Sequence, residues 1–109
     1  MPVKSSNSFG TGALGKKYPK MLQAYGALGA AAAEGNVLDA KTRELIALAV
    51  AVTTRCESCI GVHADEAVKA GATEEEVAAA LAMSIALNAG AAYTYSLRAL
   101  EAYNAQKGE

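Results

Sequence analysis

The chain has 109 residues, a formal net charge of −1, no Trp and one Phe, and 52% of its residues are hydrophobic. That length bounds it to one domain with a modest core, and a near-neutral chain leaves no electrostatic footprint for nucleic acid. The opening MPVKSSNSFGTGALG lacks the apolar centre of a secretory leader, no basic amphipathic helix marks a membrane surface, and the longest apolar runs, Leu45 to Val52 and Val77 to Met83, fall far short of the ~18 residues that span a bilayer, so a cytoplasmic protein is expected.

Residues 1–16 are dominated by Ser, Asn, Gly and Thr and read as a flexible lead, with Val3, Phe9 and Leu14 as its only anchors. A single domain is expected over 17–109. Its first helix begins near Pro19, a residue suited to the first turn, and ends at Gly35-Asn36. Gly26 and Gly29 lie inside it, where glycine often marks close approach of another helix. Asp39 is a good N-cap for a second helix, AKTRELIALAVAVTTR. Leu45, Leu48, Ala49 and Val52 form one stripe, and Ile46 and Val50 lie on a neighbouring face, so this helix is expected to be buried on most sides.

A third helix starts close to Cys56 and ends at Gly71, with Lys69 in its last turn. Thr73 to Glu76 reads as a capping box for a fourth, again apolar on several faces. Asn88-Ala89-Gly90 predicts a break before a last helix that carries Tyr93, Leu97, Leu100 and Tyr103. No strand alternation or repeat stands out. The fold class is all-α. Two helices apolar on several faces in so small a chain point to self-association.

Chemistry concentrates between Glu44 and His63, a stretch that holds both cysteines and the only histidine. Cys56 and Cys59 are i,i+3, which on a helix sets their α-carbons roughly 5 Å apart, within disulfide reach. A cysteine at a helix N-terminus meets unpaired N–H groups that favour thiolate, the species that attacks disulfides and peroxides. His63 is four residues beyond Cys59 and shares its face, so its imidazole can take the thiol proton directly or through one water. Glu44 lies roughly 17 Å of helix axis before the Thr54-Arg55 turn and His63 roughly 11 Å after it. That leaves two readings open: an acid reaching His63 through a water, or a solvated acid paired with Lys41 or Arg43. As a zinc set, Cys56, Cys59 and His63 converge poorly from one short helix, so no metal is expected.

The order Glu, eleven residues, Cys-x-x-Cys, three residues, His stands here as Glu44, Cys56-Glu57-Ser58-Cys59 and His63. It resembles the signature of AhpD-like proteins, the alkylhydroperoxidase core domain of the carboxymuconolactone decarboxylase superfamily. The resemblance runs through LDAKTRELIALAVAVTTRCESCIGVHADEAVKAGATEEEVAAALAMSIAL and covers roughly residues 20 to 105. It implies an all-α fold of about five to six helices, with the cysteines at the start of a central helix, that assembles into trimers or hexamers. It implies that Cys59 attacks a peroxide, that Cys56 resolves the product to a disulfide, and that His63 and Glu44 relay the proton. No bound cofactor is implied. The reductant would be an external dithiol, such as a lipoyl group on a carrier protein or a thioredoxin-like partner. The chain departs from the best-known type in two ways. Ser58 stands where that type has a second histidine, and the chain is one core unit rather than two repeats.

Three functions follow as expectations. The first is a thiol-dependent antioxidant enzyme reducing hydroperoxides or disulfides. The second is a lyase that decarboxylates a small lactone with His63 and Glu44 as acid and base, although true carboxymuconolactone decarboxylases generally lack the C-x-x-C pair. The third is a non-enzymatic redox-sensing oligomer.

Overall fold

A computed structural model describes residues 12–108. Among them are five helices and no strand: α1 (Ala13–Lys17), α2 (Pro19–Ala33), α3 (Ala40–Thr54), α4 (Glu57–Lys69) and α5 (Glu74–Gln106). The all-α expectation is met. Val3 and Phe9, and most of the lead read as flexible, lie outside the described residues. Its end, residues 13–16, lies in α1, which meets α2 around a shallow apolar hollow of about 390 Å³ between Leu14, Tyr18, Met21 and Tyr25. Pro19 separates the two helices. A residue before proline is held out of the helical region, and Tyr18 takes φ −129° and ψ 65°.

The sequence punctuation forms as read. Gly35 takes the left-handed conformation at φ +70°, while the Asn36 side chain donates to Ala32 O (3.0 Å) and accepts from Leu38 N (2.8 Å). Asp39 Oδ1 accepts from Thr42 N at 2.8 Å and starts α3. Thr73 and Glu76 form a reciprocal capping box for α5. The α4 end is a Schellman motif: Gly71 sits at φ +85°, Gly71 N donates to Val68 O, and Ala72 N donates to Ala67 O.

The core is the contact of α3 with α4 and with the first half of α5. Leu48, Ala51 and Ala67 are its buried hydrophobic residues, joined by the buried Ser84. Ser84 Oγ donates to Ala49 O at 3.0 Å, and Asn88 Nδ2 donates to Thr53 Oγ1 at 3.0 Å, so two polar bonds stitch α5 to α3. Lys41 Nζ meets Glu76 Oε2 at 2.8 Å at the other end of the same contact.

Two expectations fail. The break at Asn88-Ala89-Gly90 is absent: α5 runs unbroken for 33 residues, about 50 Å. The Asn88 amide is spent on Ser84 O (2.8 Å) and Thr53 Oγ1 rather than on turning the chain, and one interior glycine costs only about 1 kcal/mol. This fused helix also contains an 18-residue window of mean hydropathy 1.4, so α5 meets the length and composition of a bilayer span, which neither expected piece did.

Next, α3 is not buried on most sides. Ile46 and Val50 are about half exposed because α4 and α5 pack on its other faces only. Gly26 and Gly29 face open space, with nothing within 4 Å of where a β-carbon would sit. Along α2 only Leu22 escapes full exposure, and every described residue after Ser84 is exposed. The Cα radius of gyration is 18.4 Å, against about 13 Å for a compact domain of this length.

Candidate active site

The turn between α3 and α4 builds the site. Here α3 ends in a second Schellman motif: Arg55 N donates to Val52 O at 3.3 Å, and Cys56 N donates to Ala51 O at 3.0 Å. The left-handed residue is Arg55, at φ 58° and ψ 40°, rather than a glycine. That turn delivers Cys56 to the N-cap of α4, where its Sγ faces Cys59 N at 3.3 Å. Ser58 Oγ lies 3.8 Å from the same sulfur. Cys56 and Cys59 are joined as a disulfide across a Cα–Cα distance of 5.2 Å. The sulfurs therefore sit where the unpaired N–H groups and the positive end of the helix dipole are strongest.

One turn further along α4, His63 Nδ1 lies 2.6 Å from Glu44 Oε1 on α3. The two readings of Glu44 are thus decided at the level of geometry. Lys41 pairs with Glu76, and the Arg43 guanidinium donates to Leu38 O, which leaves the carboxylate to the imidazole. The contact is direct, where the spacing suggested a bridging water. Packing α3 along α4 closes the offset between the two levels, and the Glu side chain spans the rest. A carboxylate on Nδ1 fixes the tautomer, because it can only accept. In the neutral ring, Nε2 is then the acceptor. Both side chains are partly covered, at 35% exposure for His63 and 21% for Glu44.

The pair fronts a groove of about 430 Å³, walled by Ala33 and Asn36 from the end of α2 and by Leu38, Ile46 and Ala47. Neither cysteine lines this groove. Among the described residues, no three of His, Cys, Asp and Glu converge as a metal centre would require. The four residues singled out in the sequence thus form two contacts, Glu44 with His63 across α3 and α4 and Cys56 with Cys59 at the start of α4. Three contributors were not anticipated. Ser58 was noted only for the histidine it replaces. Arg55 hides a left-handed turn that glycine would have signalled. The groove depends on α2, whose placement no local pattern encodes.

Comparison with known proteins gives consistent results. The family model for the carboxymuconolactone decarboxylase family matches residues 19–102. An uncharacterised protein of Haemophilus influenzae is 88% identical over 88% of this chain and 85% of its own length. An uncharacterised protein of Cupriavidus necator is 35% identical over 86% of this chain and 83% of its own. A crystal structure of a protein from Methanobacterium thermoautotrophicum superposes with a TM-score of 0.69 at 30% identity, covering 76% of this chain and 93% of that one.

Proposed function

The chain belongs to the carboxymuconolactone decarboxylase family, and from that premise we propose that it is an AhpD-like, thiol-dependent oxidoreductase that reduces hydroperoxides or disulfides. The observation that carries the reading is the direct Glu44–His63 bond, one helical turn below a redox-competent cysteine pair. In the peroxide reaction, His63 Nε2 takes the Cys59 proton and Glu44 stabilises the imidazolium. The Cys59 thiolate attacks one peroxide oxygen, the O–O bond breaks, and an alcohol or water leaves with the proton. Cys59 becomes a sulfenic acid. Cys56 then attacks that sulfur, water departs, and the disulfide closes. An external dithiol, a lipoyl group or a thioredoxin-like protein, restores the two thiols.

The test is peroxide titration of the reduced protein, read by mass spectrometry. Wild type is expected to close its disulfide at one equivalent of hydroperoxide, and Cys56→Ser to accumulate a trappable sulfenic acid at Cys59. Cysteines inert to peroxide overturn the peroxidase reading. The groove favours one second reading, acid–base chemistry by His63 and Glu44 on a small lactone, because it opens on that pair and not on the sulfurs. Lyase turnover that persists without either cysteine would establish it.

The working form in this proposal is a homo-oligomer, a trimer or hexamer, in the cytoplasm. Exposed Leu97, Leu100, Tyr93 and Tyr103 on α5 supply the contact. A subunit contact accounts for the apolar length of α5 better than a bilayer does, because Ser84 and Asn88 commit that helix to α3.

A further inference from the structure

The geometry points to an asymmetry between the two sulfurs: an external dithiol attacks Cys59, and Cys56 leaves as the thiolate, held by Cys59 N–H and the Ser58 hydroxyl. This makes Ser58 a further catalytic residue. The inference rests on the proposed exchange of this disulfide with a dithiol. Attack on either sulfur is open in principle, and the sulfur whose thiolate is better stabilised leaves faster.

The environments differ. Cys56 is the N-cap of α4, and its Sγ already faces Cys59 N at 3.3 Å. Ser58 Oγ stands 3.8 Å away, and because a thiolate can only accept, the hydroxyl must donate to it. Both donors stand at the same atom, and it also lies at the positive end of the helix dipole. Cys59 sits inside the first turn and shares its face with His63. With Glu44 on Nδ1, His63 serves the proton of Cys59, whereas the backbone N–H and the hydroxyl are both at Cys56 Sγ.

A thiolate of the dithiol bonds to Cys59 Sγ, the Cys56–Cys59 bond breaks, and its electron pair leaves on Cys56 Sγ. The second thiolate of the dithiol attacks the dithiol sulfur now bound to Cys59. That closes the oxidised reductant as a cyclic disulfide and displaces Cys59 as a thiolate, which takes a proton from solvent, the protons of the dithiol having gone to solvent when its thiolates formed. Two electrons pass from the dithiol to the protein pair.

The experiment uses the oxidised wild-type chain with glutathione as a monothiol probe, quenched by rapid alkylation. Trypsin cleaves after Arg55 and releases a peptide that begins at Cys56, so fragment ions assign each sulfur. Glutathione on Cys59 with the alkyl group on Cys56 is expected, in excess of about tenfold over the reverse. Glutathione on Cys56, or an even mixture, overturns the inference. Ser58→Ala should slow the attack about two- to fivefold, the loss of one weak donor, and raise the pH midpoint for alkylation of Cys56 in the reduced protein while leaving that of Cys59 in place. A variant that moves neither midpoint removes Ser58 from the assignment. Failure here is separable from failure of the peroxidase reading. Adducts at Cys56 in a protein that still closes its disulfide with peroxide sink only the asymmetry, and a Cys59 adduct in a protein inert to peroxide sinks only the peroxidase.

Discussion

The two halves of α5 are the same helix in opposite circumstances. From Glu74 to Asn88 it is capped, ion-paired to Lys41 and hydrogen-bonded to α3 through Ser84 and Asn88. From Gly90 onward every described residue is exposed, including Tyr93, Tyr95, Leu97, Leu100 and Tyr103. Isolated helical segments of this length are marginal in water, and contiguous apolar surface marks an interaction site. The contrast teaches that one helix holds two kinds of surface: the packed half supports α3 and hence Glu44, while the bare half is the surface assigned above to the proposed subunit contact.

The largest effect should come from breaking the bare half. Leu97→Glu with Leu100→Glu removes two leucines, each worth about 1.5–3 kcal/mol when buried. Sedimentation should show the assembly weakened by at least a hundredfold, and circular dichroism should show lost helix. An unchanged particle would mean that the exposed half is no interface, and the contrast would collapse. Leu48→Ala breaks the packed half instead. Leu48 is 4% exposed, and the truncation should cost about 2–4 kcal/mol in denaturant titration. Glu44→Gln sharpens the contrast, because it should leave assembly and helix content alone. It should slow peroxide-driven oxidation of Cys59 about tenfold by withdrawing the charge behind His63.

The smallest effect concerns pH. The Lys41 hydrogen bond, helped by Thr73, holds the Glu76 carboxyl below its usual 4.5. A depressed folded-state value contributes stability that is present above the unfolded value and lost as pH falls through the folded one. The tie between α3 and α5 should thus weaken only in acid below about 4.5. A melting temperature for Glu76→Gln with the same acid profile as wild type would count against it. In alkali, Lys41, held above its usual 10.5 by the Glu76 hydrogen bond, loses its contribution as pH rises through that higher value.

Much of the packed half was legible in the sequence because its signals are local. Asp39, Gly71 and the Thr73–Glu76 box each act within four residues, and the cysteine and histidine spacings are fixed by one helix. What was hidden depends on neighbours. Asn88 reads as a breaker until Thr53 is there to occupy its amide. Ile46 and Val50 read as core because periodicity counts apolar residues, not the partners present to cover them. The Glu44–His63 distance depends on how closely two helices pack, which spacing along either one does not encode. Arg55 escaped for a simpler reason: a left-handed cap is signalled by glycine, and this chain uses a residue without that signature.

The unbroken passage of α5 through Gly90 has a mechanical consequence. The exposed stretch is a helical arm about 25 Å long, anchored at Asn88. A tilt of about 5° at the anchor sweeps the tip by about 2 Å over that arm. In the other direction, a neighbour that grips the tip has leverage on the Thr53 end of α3, two residues before the turn that presents Cys56. In the proposed oligomer, a subunit contact at the tip loads the backbone that aims the sulfurs.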